Sequence, residues 1–182
     1  MTDAPVDALA PVRAALQRQY HAALAMLRSA VEAFPDALWD DPTAANAGWQ
    51  VAYHALYFTH LYLQPEEASF RPWAEHQAEV QHPDGIAGPP DPASGMPLLP
   101  HPYTRGQVIA YADWLDAEVD DLVDALDLVS PESGFWWYRI GKLEHQLVNL
   151  RHLQHHTAQL ADRVRTATHT GVEWVSSRPA RA

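Results

Sequence analysis

The stretch LEHQLVNLRHLQHHTAQLADRVR (143–165) decides the fold. At roughly 100° per residue, Glu144, Arg151 and Asp162 gather on one side of a helix, and Leu153, Leu160 and Val164 gather nearly opposite. This amphipathic helix therefore has one face for solvent and one for a core. His152 and His156 fall on the flank of the core-facing arc, four residues and about one turn apart. His155 falls with the charged group and is predicted to be exposed. His145 and Asn149 share the stripe of His152 and His156. They line a pocket, support the ligand histidines from behind, or form a partly wet flank, and the wet flank is the expectation for His145.

Three further stretches carry helical periodicity. The first covers 11–34, with Pro11 suited to a first turn and Pro35 ending the run. The second covers 48–64 and stops at Pro65. The third covers 104–128, where Thr104 and Gln107 have capping-box spacing and Asp113, Asp116, Asp120 and Asp124 interleave with Trp114, Leu115, Val119, Leu122 and Leu126. The fourth, which contains the opening stretch, covers 137–168. No run alternates as strands do. Four long helices around one core predict an all-α four-helix bundle, a single domain over 1–182.

The connection between helices two and three, 65–102, holds nine of the fifteen prolines together with Phe70, Trp73, Ile86, Leu98 and Leu99. A connection this long inside a compact domain is uncommon. It is read either as a plain crossover along the bundle or as a lid. The tail, 170–182, carries Trp174 and Arg178 and is expected to pack on the body or on a second subunit.

Composition narrows the chemistry. The 182 residues are 47% hydrophobic, with seven tryptophans and seven tyrosines, enough for a real core. A formal charge of −11 with scattered basic residues excludes nucleic acid and anionic membrane as main partners. With no cysteine, disulfides, thiolate metal ligands and a cysteine nucleophile are excluded. No signal peptide is read at the N-terminus and no stretch is apolar enough to span a membrane, so a cytoplasmic location is expected. Eleven histidines point toward metal.

Two histidines four apart can reach one ion, but the pair alone is a weak signal. The second helix, WQVAYHALYFTHLYL (49–63), adds His54 in an apolar setting. It is either a core histidine bonded to a carbonyl or a metal ligand from a second helix, since an unpartnered buried polar group costs about 1–3 kcal/mol. His60, six residues on, points away. His21, His76, His82, His101 and His169 have no spacing that separates them from surface histidines. Tyr53, Tyr57, Glu66, Glu67 and His145 are candidates for acid–base work, but no catalytic residue is assignable among them.

The runs NLRHLQHHTAQL and WQVAYHALYFTHLYL, about a hundred residues apart, resemble the DinB-like (DinB/YfiT) superfamily over most of the chain. The resemblance implies a four-helix bundle, often dimeric, in which one histidine of helix two and two of helix four bind a divalent metal. Those positions here are His54, His152 and His156. Some members look like metal-dependent transferases or isomerases that use a low-molecular-weight thiol, and others are named hydrolases. Zinc or nickel is the expected ion, with iron or manganese as alternatives. Three histidines leave a coordination position open, as catalytic sites do. The expectation is a metal-dependent, thiol-using transferase or a hydrolase acting on a small molecule, in a homodimer. The alternatives are a non-enzymatic metal-binding or stress-related bundle, and a bundle that has lost its metal.

Overall fold

The computed structural model describes residues 8–78, 80–82 and 101–178. Every regular element among them is helical: α1 (Ala10–Ala33), the short α2 (Asp36–Trp39), α3 (Gly48–Tyr62), a 3₁₀ turn (Glu67–Ser69), α4 (Arg105–Asp124) and α5 (Lys142–Thr168). The chain is thus all-α over the described residues. Helix α1 packs against α4 and α5, and α3 packs against α5 and α4. Their shared core includes Tyr20, Leu27, Tyr53, Leu56, Tyr111, Leu115, Leu153 and Leu160, all fully buried. Burial of each such leucine contributes roughly 1.5–3 kcal/mol before entropy is counted.

Local chemistry sets the helix ends. Phe34 is extended (φ −66°, ψ 131°), as a residue before proline prefers, and this stops α1. At the start of α3, Gly48 lies so close to the buried Phe34 ring that a Cβ there would sit 2.5 Å from a ring carbon. Gln50 Oε1 accepts from the Ala47 N–H at 2.8 Å and satisfies one free donor of α3. The predicted capping box of α4 is present: Thr104 Oγ1 accepts from Gln107 N–H at 3.2 Å and Gln107 Oε1 accepts from Thr104 N–H at 2.9 Å.

One helix start differs from expectation. Helix α5 begins at Lys142, not near Trp137. The preceding residues are drawn into turns by Lys142, whose ammonium is buried and donates to the carbonyls of Gln64, Pro65 and Ser133. Those bonds tie the turn to the end of α3. Gly134 makes the approach possible: it has φ +84° and faces the Pro65 carbonyl, where a side chain would not fit.

The described part of the segment between α3 and α4 packs on those helices. Trp73 stacks on Tyr111 with centroids 4.8 Å apart, and Phe70 meets Tyr57 edge-on at 5.1 Å. Ile86, Leu98 and Leu99 lie outside the described residues. The tail runs beside α1, where Gln19 Nε2 donates to Ser176 O and Arg178 N–H donates to Arg18 O. Trp174 remains exposed. Among the described residues no helix is long and apolar enough to cross a membrane.

Candidate metal centre

Helix α3 delivers His54 and helix α5 delivers His152 and His156 to one point. His152 Nε2 lies 3.1 Å from His54 Nε2 and 3.1 Å from His156 Nε2. The three ring centroids are 4.5–5.0 Å apart. The placement follows from the sequence pattern: the one-turn spacing stacks two rings on the α5 flank, and the packing of α3 on α5 brings the third opposite them.

The outer nitrogens fix what the inner ones can do. His54 Nδ1 lies 2.7 Å from Gln81 O, and a carbonyl can only accept, so Nδ1 carries the hydrogen. His156 Nδ1 lies 2.8 Å from Gln159 Oε1 and donates to it when the amide is oriented with its oxygen there. In the neutral rings, both Nε2 atoms then present lone pairs toward His152. His152 Nδ1 is buried without a hydrogen-bond partner. If His152 carries its proton on Nε2, one hydrogen serves two acceptors. If it carries the proton on Nδ1, three lone pairs converge. A cation satisfies the second arrangement, and the outer hydrogen bonds are of the kind that orient metal-bound histidines. At metal–nitrogen distances of ~2.0–2.1 Å, adjacent ligand nitrogens stand roughly 2.8–3.4 Å apart. The two 3.1 Å separations fit that range.

Electrostatics point the same way. Burial, reinforced by His156, His54 and His155, pushes His152 down to about 3. Burial also lowers His156, against a partial rise from its bond to Gln159. Both are therefore neutral near pH 7, the form that ligates metal. Phe58 packs against His54 at 4.7 Å and His152 at 5.8 Å and shields one side of the cluster. On another side a cavity of about 280 Å³ opens, lined by residues that include His54, His156, Gln159, Arg163 and Asn46. The cluster could hold a metal ion, and among the described residues it is the one group of three or more histidine or acidic side chains that does so.

The other histidines sort differently from expectation. His155 is exposed, as expected. His145 is not a wet flank: it is fully buried among Tyr62, Phe135 and Tyr138, at 4.8–5.0 Å between centroids, with neither ring nitrogen bonded. Burial, then the Lys142 charge, push it down to about 4. His21 is not a surface residue: it is buried between α1 and α4, with Asp116 at 2.7 Å and Asp120 at 3.1 Å. His60 is buried against Tyr111 Oη at 3.0 Å, a structural role. His76 reaches Tyr53 Oη at 2.7 Å. Glu66 lines a separate cavity of about 530 Å³ whose walls include none of the three histidines.

Sequence reasoning missed two neighbours of the centre. Gln81 acts through its backbone carbonyl, which leaves no side-chain signal. Arg163 had one: it lies seven residues after His156, two turns along the same face of α5. No protein-family model, no curated protein and no solved structure matches the chain.

Proposed function

We propose that the chain is a four-helix bundle of the DinB-like kind, with 65–102 as its crossover, and that His54, His152 and His156 hold a divalent ion, zinc or nickel first. On this reading the loaded protein is an enzyme that uses a low-molecular-weight thiol to modify a small substrate. The observation that carries it is the convergence of three imidazole Nε2 atoms from two helices, two of them with Nδ1 held by oxygen acceptors.

An ion held by three neutral nitrogens supplies Lewis acidity and an open position for an oxygen or sulfur group of a small molecule. The chain's own groups do the rest. Gln81 O and Gln159 Oε1 hold two rings in register. Phe58 keeps water from one side. The cavity beside His54 and His156 admits the small molecule. No carboxylate lines that cavity among the described residues. That favours thiol transfer, in which the co-substrate brings its own nucleophile, over hydrolysis assisted by a protein base. The same observation keeps a non-enzymatic alternative in play, an ion that braces α3 against α5.

The test is turnover by zinc- and nickel-loaded protein with a small thiol and a chlorodinitrobenzene, run beside p-nitrophenyl acetate. The expected result is metal-dependent thiol transfer that His156→Ala abolishes. Ester hydrolysis alone would favour the hydrolase. Metal-loaded protein inert to both would support the bracing role.

A further inference from the structure

The cavity beside the histidines has one charged wall. Its lining comprises Ala45, Asn46, Val51, His54, His156, Gln159 and Arg163, and Arg163 is the charged member. We propose that this cavity is a carboxylate subsite with Arg163 as its anchor, so that the substrate is a short organic acid. This rests on the reading of the three histidines as the reacting centre.

Three observations carry it. First, the guanidinium is held in place. Arg163 Nη1 donates to Asn46 O at 2.7 Å, tying α5 to the turn before α3. A guanidinium has five N–H donors, so this bond leaves most of the fork free. Second, Arg163 forms no close ion pair with a carboxylate among the described residues. Ion pairs among the described residues involve His21, Arg28 and Arg105, not Arg163. Asp41 is the nearby acid, but its carboxylate accepts from Thr43 N–H at 2.8 Å and Thr43 Oγ1 at 2.7 Å. Those bonds, more than Arg163, hold Asp41 below the usual carboxylate range. Third, chemistry and size agree. One planar fork matches one carboxylate through paired N–H donors, and Arg163 is the one cationic side chain among the described residues of the lining. At about 280 Å³ it falls just under the ~300–1,000 Å³ of most ligand pockets, which suits a short acid.

The experiment compares mercaptoacetate with mercaptoacetamide, which differ in the charge that Arg163 would read. Calorimetric titration of zinc-loaded protein should show the acid binding about ten- to hundredfold more tightly. Arg163→Met should erase that preference and Arg163→Lys should restore part of it. Equal affinity of the wild type for acid and amide overturns the proposal, as does a preference that survives Arg163→Met. Inorganic phosphate displacing the acid at lower concentration overturns the carboxylate assignment. A second arm uses metal-free protein and propionate, following the Arg163 Nε–H resonance by NMR. A saturable shift with propionate and none with propionamide supports the subsite even if elemental analysis shows that zinc does not bind, and no shift counts against it. Failure of the metal centre and failure of the subsite are thereby read separately. Should Arg163→Met not fold, the acid–amide comparison and the resonance shift still decide.

Discussion

Replacing His145 by leucine should leave the protein about as stable at neutral pH and make it markedly more acid-resistant. His145 is fully buried with both ring nitrogens unbonded. Removing an unsatisfied buried polar group recovers about 1–3 kcal/mol. Losing the ring contacts to Tyr62, Phe135 and Tyr138 costs about 0.5–1.5 kcal/mol for a favourable aromatic set. At pH 7.5 the variant should therefore match the wild type to about 1 kcal/mol, or exceed it. The pH effect is larger. The folded pKa is about 4 against an ordinary 6.5. The unfolded chain thus takes up the proton first as pH falls, and stability drops from pH 6.5 downward until both states are protonated below pH 4. The full loss is about 3 kcal/mol, of which about 2 kcal/mol is already gone at pH 5. His60, lowered to about 4, and His152, lowered to about 3, add acid lability of the same sign, so the wild-type curve alone does not isolate His145. The difference between variant and wild type does. Urea unfolding at pH 7.5 and pH 5 should show the variant's relative stability rising by about 2 kcal/mol at the lower pH. A change under about 0.5 kcal/mol would refute the reasoning.

Other predictions follow from the same structure. Zinc at a hundredfold excess over its dissociation constant should stabilise the protein by about 2.7 kcal/mol, roughly 5–10 °C in melting temperature for a domain of this size. His54→Ala, His152→Ala and His156→Ala should each lose that shift in a thermal melt with and without chelator. His21 sits between Asp116 and Asp120, whose hydrogen bonds and charge raise its pKa against desolvation. Its stabilising contribution is therefore complete below pH 6.5 and is lost as pH rises through the raised value. An NMR titration should place His21 above 6.5, and a midpoint at or below that would contradict the assignment. Gly48→Ala drives a Cβ into the fully buried Phe34 ring and should cost about 1–3 kcal/mol in chemical denaturation, an overpacking penalty.

Much of the helical layout was legible because each long helix carries its own pattern and stop signal. Pro35 and the Thr104–Gln107 capping box mark ends that the structure reproduces. The start of α5 was not legible, since the bonds from Lys142 to Gln64, Pro65 and Ser133 join residues that no local pattern connects. The α5 stripe correctly grouped His152, His156, Asn149 and His145. Periodicity on one helix could not say which part of the stripe other elements cover. Tyr62, Phe135 and Tyr138 cover His145 from outside α5. His21 was misread for the same reason, because its partners lie 95 and 99 residues away. The convergence of His54 with His152 and His156 was expected from spacing and resemblance together, and the structure brings the three together.

Metal content tests the central claim most directly. Native protein without a histidine tag should be purified, analysed for metals, and analysed again after reconstitution with zinc, nickel, manganese and iron. The account predicts close to one divalent ion per chain in the wild type, and its loss in His156→Ala with the helical spectrum retained. Wild-type protein that binds no stoichiometric metal after reconstitution, or a variant that binds as much as the wild type, would contradict it.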